Sequence, residues 1–354
     1  MATPTTSAPV IPPPPLEALS VVVPVFNEQT WIRTCIEALV TSAARASLPL
    51  DLVVVDDGST DGTPQVLAEL SAEHGFTVVH QPNAGRLTAR ATGLARAREP
   101  WVLLLDSRVI TGPDSLSWVR RAVAADPDRL VWCGHVDVAT DGNLFAAYWA
   151  GLVKIGWRRY TADPRLVSFG AEEFDAYPKG TGCLLLPREL LAEAGASFRS
   201  LYDDPDLASD DTRLLRHVAG RTPIWLTPDF RFDYHGKQGA RGFVKQCWFR
   251  GTTFVDGYLG QPGPVRRALL AALAGGGVLA LLGLRRPALG AVGLGAVTVA
   301  VPAVVATVGG GRDEVVAGAV LTPVFVASFG AGVLRGLVLA ARSRLGAARS
   351  RATG

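Results

Sequence analysis

The 354-residue sequence predicts an α/β fold with a mostly parallel sheet, followed by a hydrophobic helical region toward the C-terminal end. Two observations carry this. From Leu19 to Leu105, short β-branched runs alternate with segments of helical periodicity, the pattern of a parallel sheet covered by helices on both faces. From about residue 265, three uncharged stretches follow one another. They explain why only 19% of residues are charged while 48% are hydrophobic, against about 25% charge in an ordinary soluble domain.

The elements follow in order. Residues 1–16 are rich in Pro, Thr and Ala and end in Pro12-Pro13-Pro14-Pro15; without a basic start or an apolar core they predict a disordered tail, not a signal peptide. Ser20–Pro24 is a continuous β-branched run, as in a strand buried on both faces. Ile32, Cys35, Ile36, Leu39 and Val40 recur at helical spacing. Leu52–Val55 predicts a second buried strand, followed by a helix near 64–72, a strand at Phe76–His80, a helix near 87–96 and a strand at Trp101–Leu105. Ligands of such sheets bind at the carboxyl ends of strands, which directs attention to the loops after Val23, Val55, His80 and Leu105. Residues 111–260 alternate less cleanly. Helices near 115–125, 188–194 and 211–218 and a strand near 130–138 are expected, as an acceptor half continuing the nucleotide half at 17–110.

The C-terminal region at 265–341 contains 268–284, 288–308 and 315–338 as two or three candidate transmembrane helices. The uncharged cores of the last two run for 21 and 20 residues, which matches the roughly 20 needed to cross a hydrocarbon core. Arg266 and Arg267 precede the region, and a basic tail at 342–354 follows it. The positive-inside rule assigns both basic groups to the cytoplasmic side, which three full spans would not allow. The short 268–284 stretch is therefore the candidate for a re-entrant or interfacial piece.

Composition excludes other classes. Net charge is +3, and all but four of the 35 basic residues are Arg. There is no basic run or finger spacing that would point to nucleic acid. Cys35, Cys133, Cys183 and Cys247 form no metal-binding spacing and are expected to be buried free thiols.

Chemistry-bearing residues gather at the predicted strand ends. Val23-Pro24-Val25-Phe26-Asn27-Glu28 closes the first strand. Val55-Asp56-Asp57-Gly58-Ser59-Thr60-Asp61-Gly62-Thr63 closes the second; in isolation it is equally a turn with a helix cap. Asn83-Ala84-Gly85-Arg86 and Ala89-Arg90 follow the third strand, and Leu105-Asp106-Ser107-Arg108 follows the fourth. Together these four clusters, with Ser209-Asp210-Asp211, resemble the glycosyltransferases of family 2 with the GT-A fold, over about residues 20–215.

The resemblance implies an inverting enzyme that moves a sugar from a nucleotide-diphosphate donor to a glycan or lipid-linked acceptor. It implies that Pro24, Phe26 and Glu28 line the nucleotide pocket, that Asp57 contacts the base and that Arg90 lies near the diphosphate. Asp106 then opens the family's DXD metal motif, so that Mg²⁺ or Mn²⁺ is the expected cofactor. Asp211, with Asp210 beside it, stands where the family keeps its catalytic base. The third DXD position is Arg108 instead of an acid. Either Asp106 holds metal with help from elsewhere, or Arg108 itself neutralises the diphosphate, or Arg108 is a surface residue paired with a nearby carboxylate. Gly180 and Thr181, in Lys179-Gly180-Thr181-Gly182, resemble the family's acceptor-side glycine segment. His235 is a candidate metal ligand or phosphate contact. Gln246 and Arg250 share one helix face and match loosely a run that meets donor or acceptor in membrane relatives. Trp248, Phe249 and Phe254 equally suit a helix lying at the lipid interface. The expected location is the plasma membrane, multi-pass, with the catalytic domain cytoplasmic and membrane lipid as a partner. Cell-envelope glycan or glycolipid synthesis is the expected setting. Two alternatives stay open: a polyprenyl-phosphate glycosyltransferase, and an inactive membrane-anchored nucleotide-sugar binder.

Overall fold

The computed structural model describes residues 13–204, 207–261 and 263–352, with the side chains of 210, 264, 278–284 and 346–352 outside the description. Most of the expected N-terminal tail, residues 1–12, therefore lies outside the described residues. Its last part does not: Leu16 is buried and the Pro14 carbonyl accepts a 2.9 Å hydrogen bond from Trp101 Nε1.

The chain divides into two compact units. Of the described residues, the first comprises those up to 137, 164–198 and 210–234, and the second those in 138–163, 199–209 and from 235 on. This division cuts across the 111–260 half drawn from the sequence.

The first unit is built around a sheet. Its opening half is β1 (Leu19–Val25), α1 (Ile32–Arg45), β2 (Leu50–Asp56), α2 (Thr63–His74), β3 (Thr77–His80), α3 (Gly85–Leu94) and β4 (Trp101–Leu105). All seven residues of β1 are buried, as a β-branched run covered on both faces requires. Helix α1 buries Ile32, Cys35, Ile36 and Leu39, one stripe at 3.6 periodicity. Pro64 stands in the first turn of α2, and Gly75, at φ 70°, ends it, the usual asymmetry of helix termini. Strand β1 pairs in parallel with β2 on one side and β4 on the other, and β2 pairs in parallel with β3.

Beyond β4 the sheet turns antiparallel. The elements are β5 (Val109–Thr111), α4 (Ser115–Ala125), β6 (Val131–Ala139), then in the second unit α5 (Leu144–Gly156) and α6 (Arg158–Thr161), and back in the first β7 (Val167–Phe169), a 3₁₀ turn at Phe174–Ala176, β8 (Cys183–Pro187), α7 (Arg188–Ser197), α8 (Asp210–Arg221) and β9 (Ile224–His235). Among the described residues the strands form a nine-stranded sheet in the order β3-β2-β1-β4-β8-β6-β9-β5, with β7 also on β9. Strand β8 runs antiparallel to both β4 and β6. The parallel half and this antiparallel half meet at β4, where Asp106 emerges.

The second unit is helical. Besides α5 and α6 it holds α9 (Ala240–Tyr258), α10 (Pro264–Arg285), α11 (Pro287–Thr307) and α12 (Arg312–Ala352). Asn143 caps α5 by accepting from the backbone N–H groups of Phe145 and Ala146. Helices α5, α9 and α12 share a core of Ala147, Tyr148, Phe243, Cys247, Ala317 and Leu321. Lys154 on α5 pairs with Glu314 on α12 at 2.8 Å. Helix α11 and the Arg312–Leu345 part of α12 are long and apolar enough to cross a membrane, with mean hydropathy 2.1 and 1.9. The 268–284 stretch lies within α10, its side chains from 278 on outside the described residues. The basic tail continues α12 to Ala352. All four cysteines are buried free thiols.

Candidate functional site

The loops after β1 and β2 are laced together. Ser59 Oγ accepts from the Asn27 backbone N–H at 2.9 Å, and Asn27 Oδ1 accepts from the Thr60 N–H at 2.7 Å. The Glu28 N–H donates to Thr63 Oγ1 at 2.9 Å. Asn27 holds a left-handed φ of 54°, which Asn tolerates better than most residues. This turn exposes Phe26, at 45%, while Pro24 stays buried in β1 and Glu28 is buried behind the loop.

Asp57 is buried, and its carboxylate organises the next loop. Oδ1 accepts from Gln81 Nε2 at 2.7 Å and from the Ala84 N–H at 2.9 Å, and Oδ2 accepts from the Gly85 N–H at 2.9 Å. The Ala84 and Gly85 groups are backbone amides at the start of α3, where intrahelical acceptors are missing. Asp57 thus fixes the helix that carries Arg86 and Arg90. The pairing of Asp57 with this helix start is what the sequence leaves out, because it couples segments 24 to 28 residues apart.

Arg90 is the centre of the site. Its side chain is buried, with Nη2 2.7 Å from Asp106 Oδ1 and Nη1 3.4 Å from Asp211 Oδ1. Thr181, 1% exposed, donates its hydroxyl to the same Asp211 oxygen. Arg86 Nη2 lies 3.8 Å from Asp211 Oδ2; Arg86 is a site residue that the motif reading quoted only as part of a loop. Asp211 stands in the first turn of α8, as the Ser209-Asp210-Asp211 motif implied. Asp210 shares that turn, its side chain outside the described residues. The backbone of the Gly180–Gly182 segment completes this corner. The Asp106 N–H donates to the Gly182 carbonyl at 2.9 Å. A Cβ at position 182 would come within 3.0 Å of Asp106 Oδ2, so glycine keeps that oxygen open.

Arg108 pairs with Glu28, Nε lying 2.8 Å from Oε1 and 2.7 Å from Oε2. The contact resembles the third reading given for Arg108, a pairing with a nearby carboxylate, except in its place. It is not a surface pair, since both side chains are largely buried.

Three predicted residues lie in the second unit. His235 ends β9, and Gln246 and Arg250 lie on α9. Arg250 stacks its guanidinium 4.3 Å from the Trp149 ring centroid of α5, a cation–π contact within that unit. Among the described residues no group of three His, Cys, Asp or Glu comes together to hold a metal ion. At the end of β4, Asp106 Oδ2, beside Gly182, is a carboxylate oxygen that could meet a divalent ion. That fits an ion of the Mg²⁺ kind, which is held by one or two carboxylates together with substrate phosphates and water.

Comparison with known proteins places the span that carries most of these residues beside one sequence family. Residues 20–177 match the sequence profile of glycosyl transferase family 2, a span that contains Pro24, Phe26, Glu28, Asp57, Arg90, Asp106 and Arg108. The chain is 34% identical over 92 residues to glycosyltransferase GlyA of Streptococcus pneumoniae, covering 26% of this chain and 13% of that protein. It is 29% identical over 107 residues to the undecaprenyl-phosphate 4-deoxy-4-formamido-L-arabinose transferase of Pseudomonas fluorescens, covering 29% and 31%. The chain spans about a third or less of the length of these curated relatives. Among solved structures it resembles the mannosyltransferase PcManGT of Pyrobaculum calidifontis, in complex with GDP-Man and Mn²⁺, with TM-score 0.53 and 18% identity, over 90% of this chain and 86% of that one. The fold is therefore GT-A, and residues 20–177 are similar to glycosyl transferase family 2.

Proposed function

We propose that the chain is an inverting glycosyltransferase that moves a sugar from a nucleotide-diphosphate donor to a hydroxyl acceptor at the cytoplasmic face of a membrane. The observation that carries this is the Asp106–Arg90–Asp211–Thr181 constellation. It puts a carboxylate within one guanidinium of the strand end where a donor diphosphate binds in this fold.

Asp211 takes the proton of the acceptor hydroxyl as that oxygen attacks the anomeric carbon, and the nucleoside diphosphate leaves from the opposite side. Thr181 and Arg90 orient the Asp211 carboxylate. Arg90 and Arg86 supply positive charge toward the leaving diphosphate, while Arg108 stays paired with Glu28. A divalent ion bound at Asp106 Oδ2 would add Lewis-acid stabilisation of that leaving group. Pro24 and Phe26 line the base side of the donor pocket, with Asp57 behind them.

The two apolar helices anchor the enzyme, and the relatives that act on undecaprenyl phosphate favour a second reading. A polyprenyl phosphate could itself be the acceptor, as in those relatives. A phosphate oxygen is already deprotonated, so this acceptor would not need Asp211 as a base. The test is nucleoside diphosphate release by detergent-purified protein across UDP-, GDP- and dTDP-sugars, with and without Mn²⁺ and with membrane lipid extract as acceptor. Release from one donor supports the proposal and names the base. Nucleotide binding without release from any donor points instead to an inactive binder.

A further inference from the structure

Behind the Thr181–Asp211 contact lies a cluster that no part of the reaction uses. Phe174, in the 3₁₀ turn before the glycine segment, is fully buried. Lys179 Nζ sits 4.3 Å from its ring centroid, and Arg216 Cζ sits 4.5 Å from it. Arg216 also pairs with Asp175 at 3.0 Å, and Lys179 Nζ donates to the Tyr177 carbonyl at 3.1 Å. Tyr177 in turn stacks on Phe169 with centroids 5.1 Å apart.

The connectivity gives the cluster meaning. Lys179 is two residues before Thr181, and Arg216 is five residues after Asp211 on the same helix. The two partners of the Thr181–Asp211 contact therefore run back along the chain to one aromatic ring. Cation–π contacts are directional and strengthen on desolvation, so the ring fixes both segments against each other.

We propose that Phe174, gripped by Lys179 and Arg216, is the fulcrum that sets the position of the Asp211 carboxylate relative to Thr181, with the Lys179 charge required for the grip. The proposal rests on the glycosyltransferase reading for its activity arm only. Lys179, Phe174 and Arg216 are assigned as positioning residues, acting through Thr181 and Asp211.

The charge can be read by pH. Burial, with Arg216 adding to it, pulls the Lys179 ammonium down to about 8, against the opposing pull of Asp175 on the 3₁₀ turn and Cys133 on β6. Above that pH the folded protein holds Lys179 neutral while the unfolded chain keeps its proton up to about pH 10.4. Across this window the unfolded state binds more protons, so this group makes the fold more stable as pH rises. Loss of the grip therefore predicts falling activity where the Lys179 contribution to stability is rising, a divergence that a purely structural lysine would not give.

The experiment compares full-length wild type with Lys179→Met, Lys179→Arg and Phe174→Leu in detergent. It reads kcat and KM for the donor that wild type turns over, from about pH 7 to about pH 9.5, and backbone hydrogen exchange of residues 179–183 and 210–214. Lys179→Met is expected to lower kcat about tenfold with donor KM nearly unchanged, and to lose the alkaline limb. Lys179→Arg restores most of kcat and carries the limb out of range, because guanidinium does not titrate there. In Phe174→Leu and Lys179→Met the two exchange segments lose protection together while β1 and β2 keep theirs. An unchanged kcat with an unchanged alkaline limb in Lys179→Met overturns the proposal, and so does loss of protection in only one of the two segments. If wild type turns over no donor, the glycosyltransferase reading fails on its own, and the paired exchange alone decides the fulcrum.

Discussion

Arg90 holds Asp106 with Nη2 2.7 Å from Oδ1, tying helix α3 to the end of strand β4. The same guanidinium reaches Asp211 at 3.4 Å, so one buried cation serves both the donor-side and the acceptor-side carboxylate. A planar fork can do this, whereas a point charge cannot.

Arg90→Met should therefore cost stability as well as activity. Leaving Asp106 and Asp211 without their shared counter-charge is expected to cost about 3 kcal/mol, read as a lower urea midpoint at unchanged m-value. Arg90→Lys should recover part of the stability and little of the turnover, because Lys reaches one carboxylate at a time. Equal turnover in Arg90→Lys and wild type would contradict the bridging role.

Arg108→Asp rebuilds an Asp-x-Asp sequence at 106–108 and also sets a carboxylate against Glu28, whose partner is removed. Like charges that close repel unless a cation joins them. The variant should melt lower than wild type in EDTA and recover with Mn²⁺, while wild type without donor should gain less from Mn²⁺ because it has Arg108 where the variant has a second carboxylate. Thermal melts with and without Mn²⁺ check this; a larger Mn²⁺ shift in wild type would show that the ion is caged by other residues.

In the helical unit, Gly251 and Gly332 let α9 and α12 touch backbone to backbone. A Cβ at 251 would collide with the Phe329 carbonyl oxygen, and one at 332 with the Trp248 carbonyl oxygen. Neither neighbour can move without breaking its helix. Gly251→Ala is expected to cost roughly 3 kcal/mol by overpacking, visible as loss of monodisperse protein in detergent. Gly242→Ala on the same helix, whose nearest neighbour is the Lys237 Cβ at 3.7 Å, is the control that should behave as wild type.

Asp51 gives a pH prediction. Burial opposes its ionisation, but hydrogen bonds from Ser20 and Arg98 outweigh burial and hold the carboxyl below its usual value. A depressed folded value means that the contribution is complete above the unfolded value of about 3.9 and is lost as pH falls through the folded one. Asp51→Asn should therefore unfold more easily than wild type at pH 7, and the gap should narrow as acidification protonates the wild-type carboxyl. A gap that persists in acid would mean that the bonds matter without the charge.

The parallel half of the sheet was legible because β1, β2 and β4 are buried on both faces and read as unbroken apolar runs, and because α1 carries a clean 3.6 stripe. The position of Asp211 was legible from three adjacent residues and its resemblance to a known family. What escaped the sequence depends on distant partners. Helix α5 has the pattern of any core helix, and its packing on α12 through Lys154 and Glu314 joins residues 160 apart. The grip on Phe174 brings together one lysine, one arginine and one ring from separate segments, and no local spacing announces it. Arg108 stayed open among three possibilities because its partner Glu28 is 80 residues away. Asp57 also receives the amides at the start of α3, a role only the folded loop reveals.

The most direct test of the account is sugar transfer by Asp211→Asn beside wild type, with nucleoside diphosphate affinity measured on both. The account predicts that transfer falls by about 10³-fold while nucleotide affinity stays within about twofold of wild type. Transfer by Asp211→Asn at the wild-type rate would contradict Asp211 as the base and shift the assignment to a phosphate acceptor.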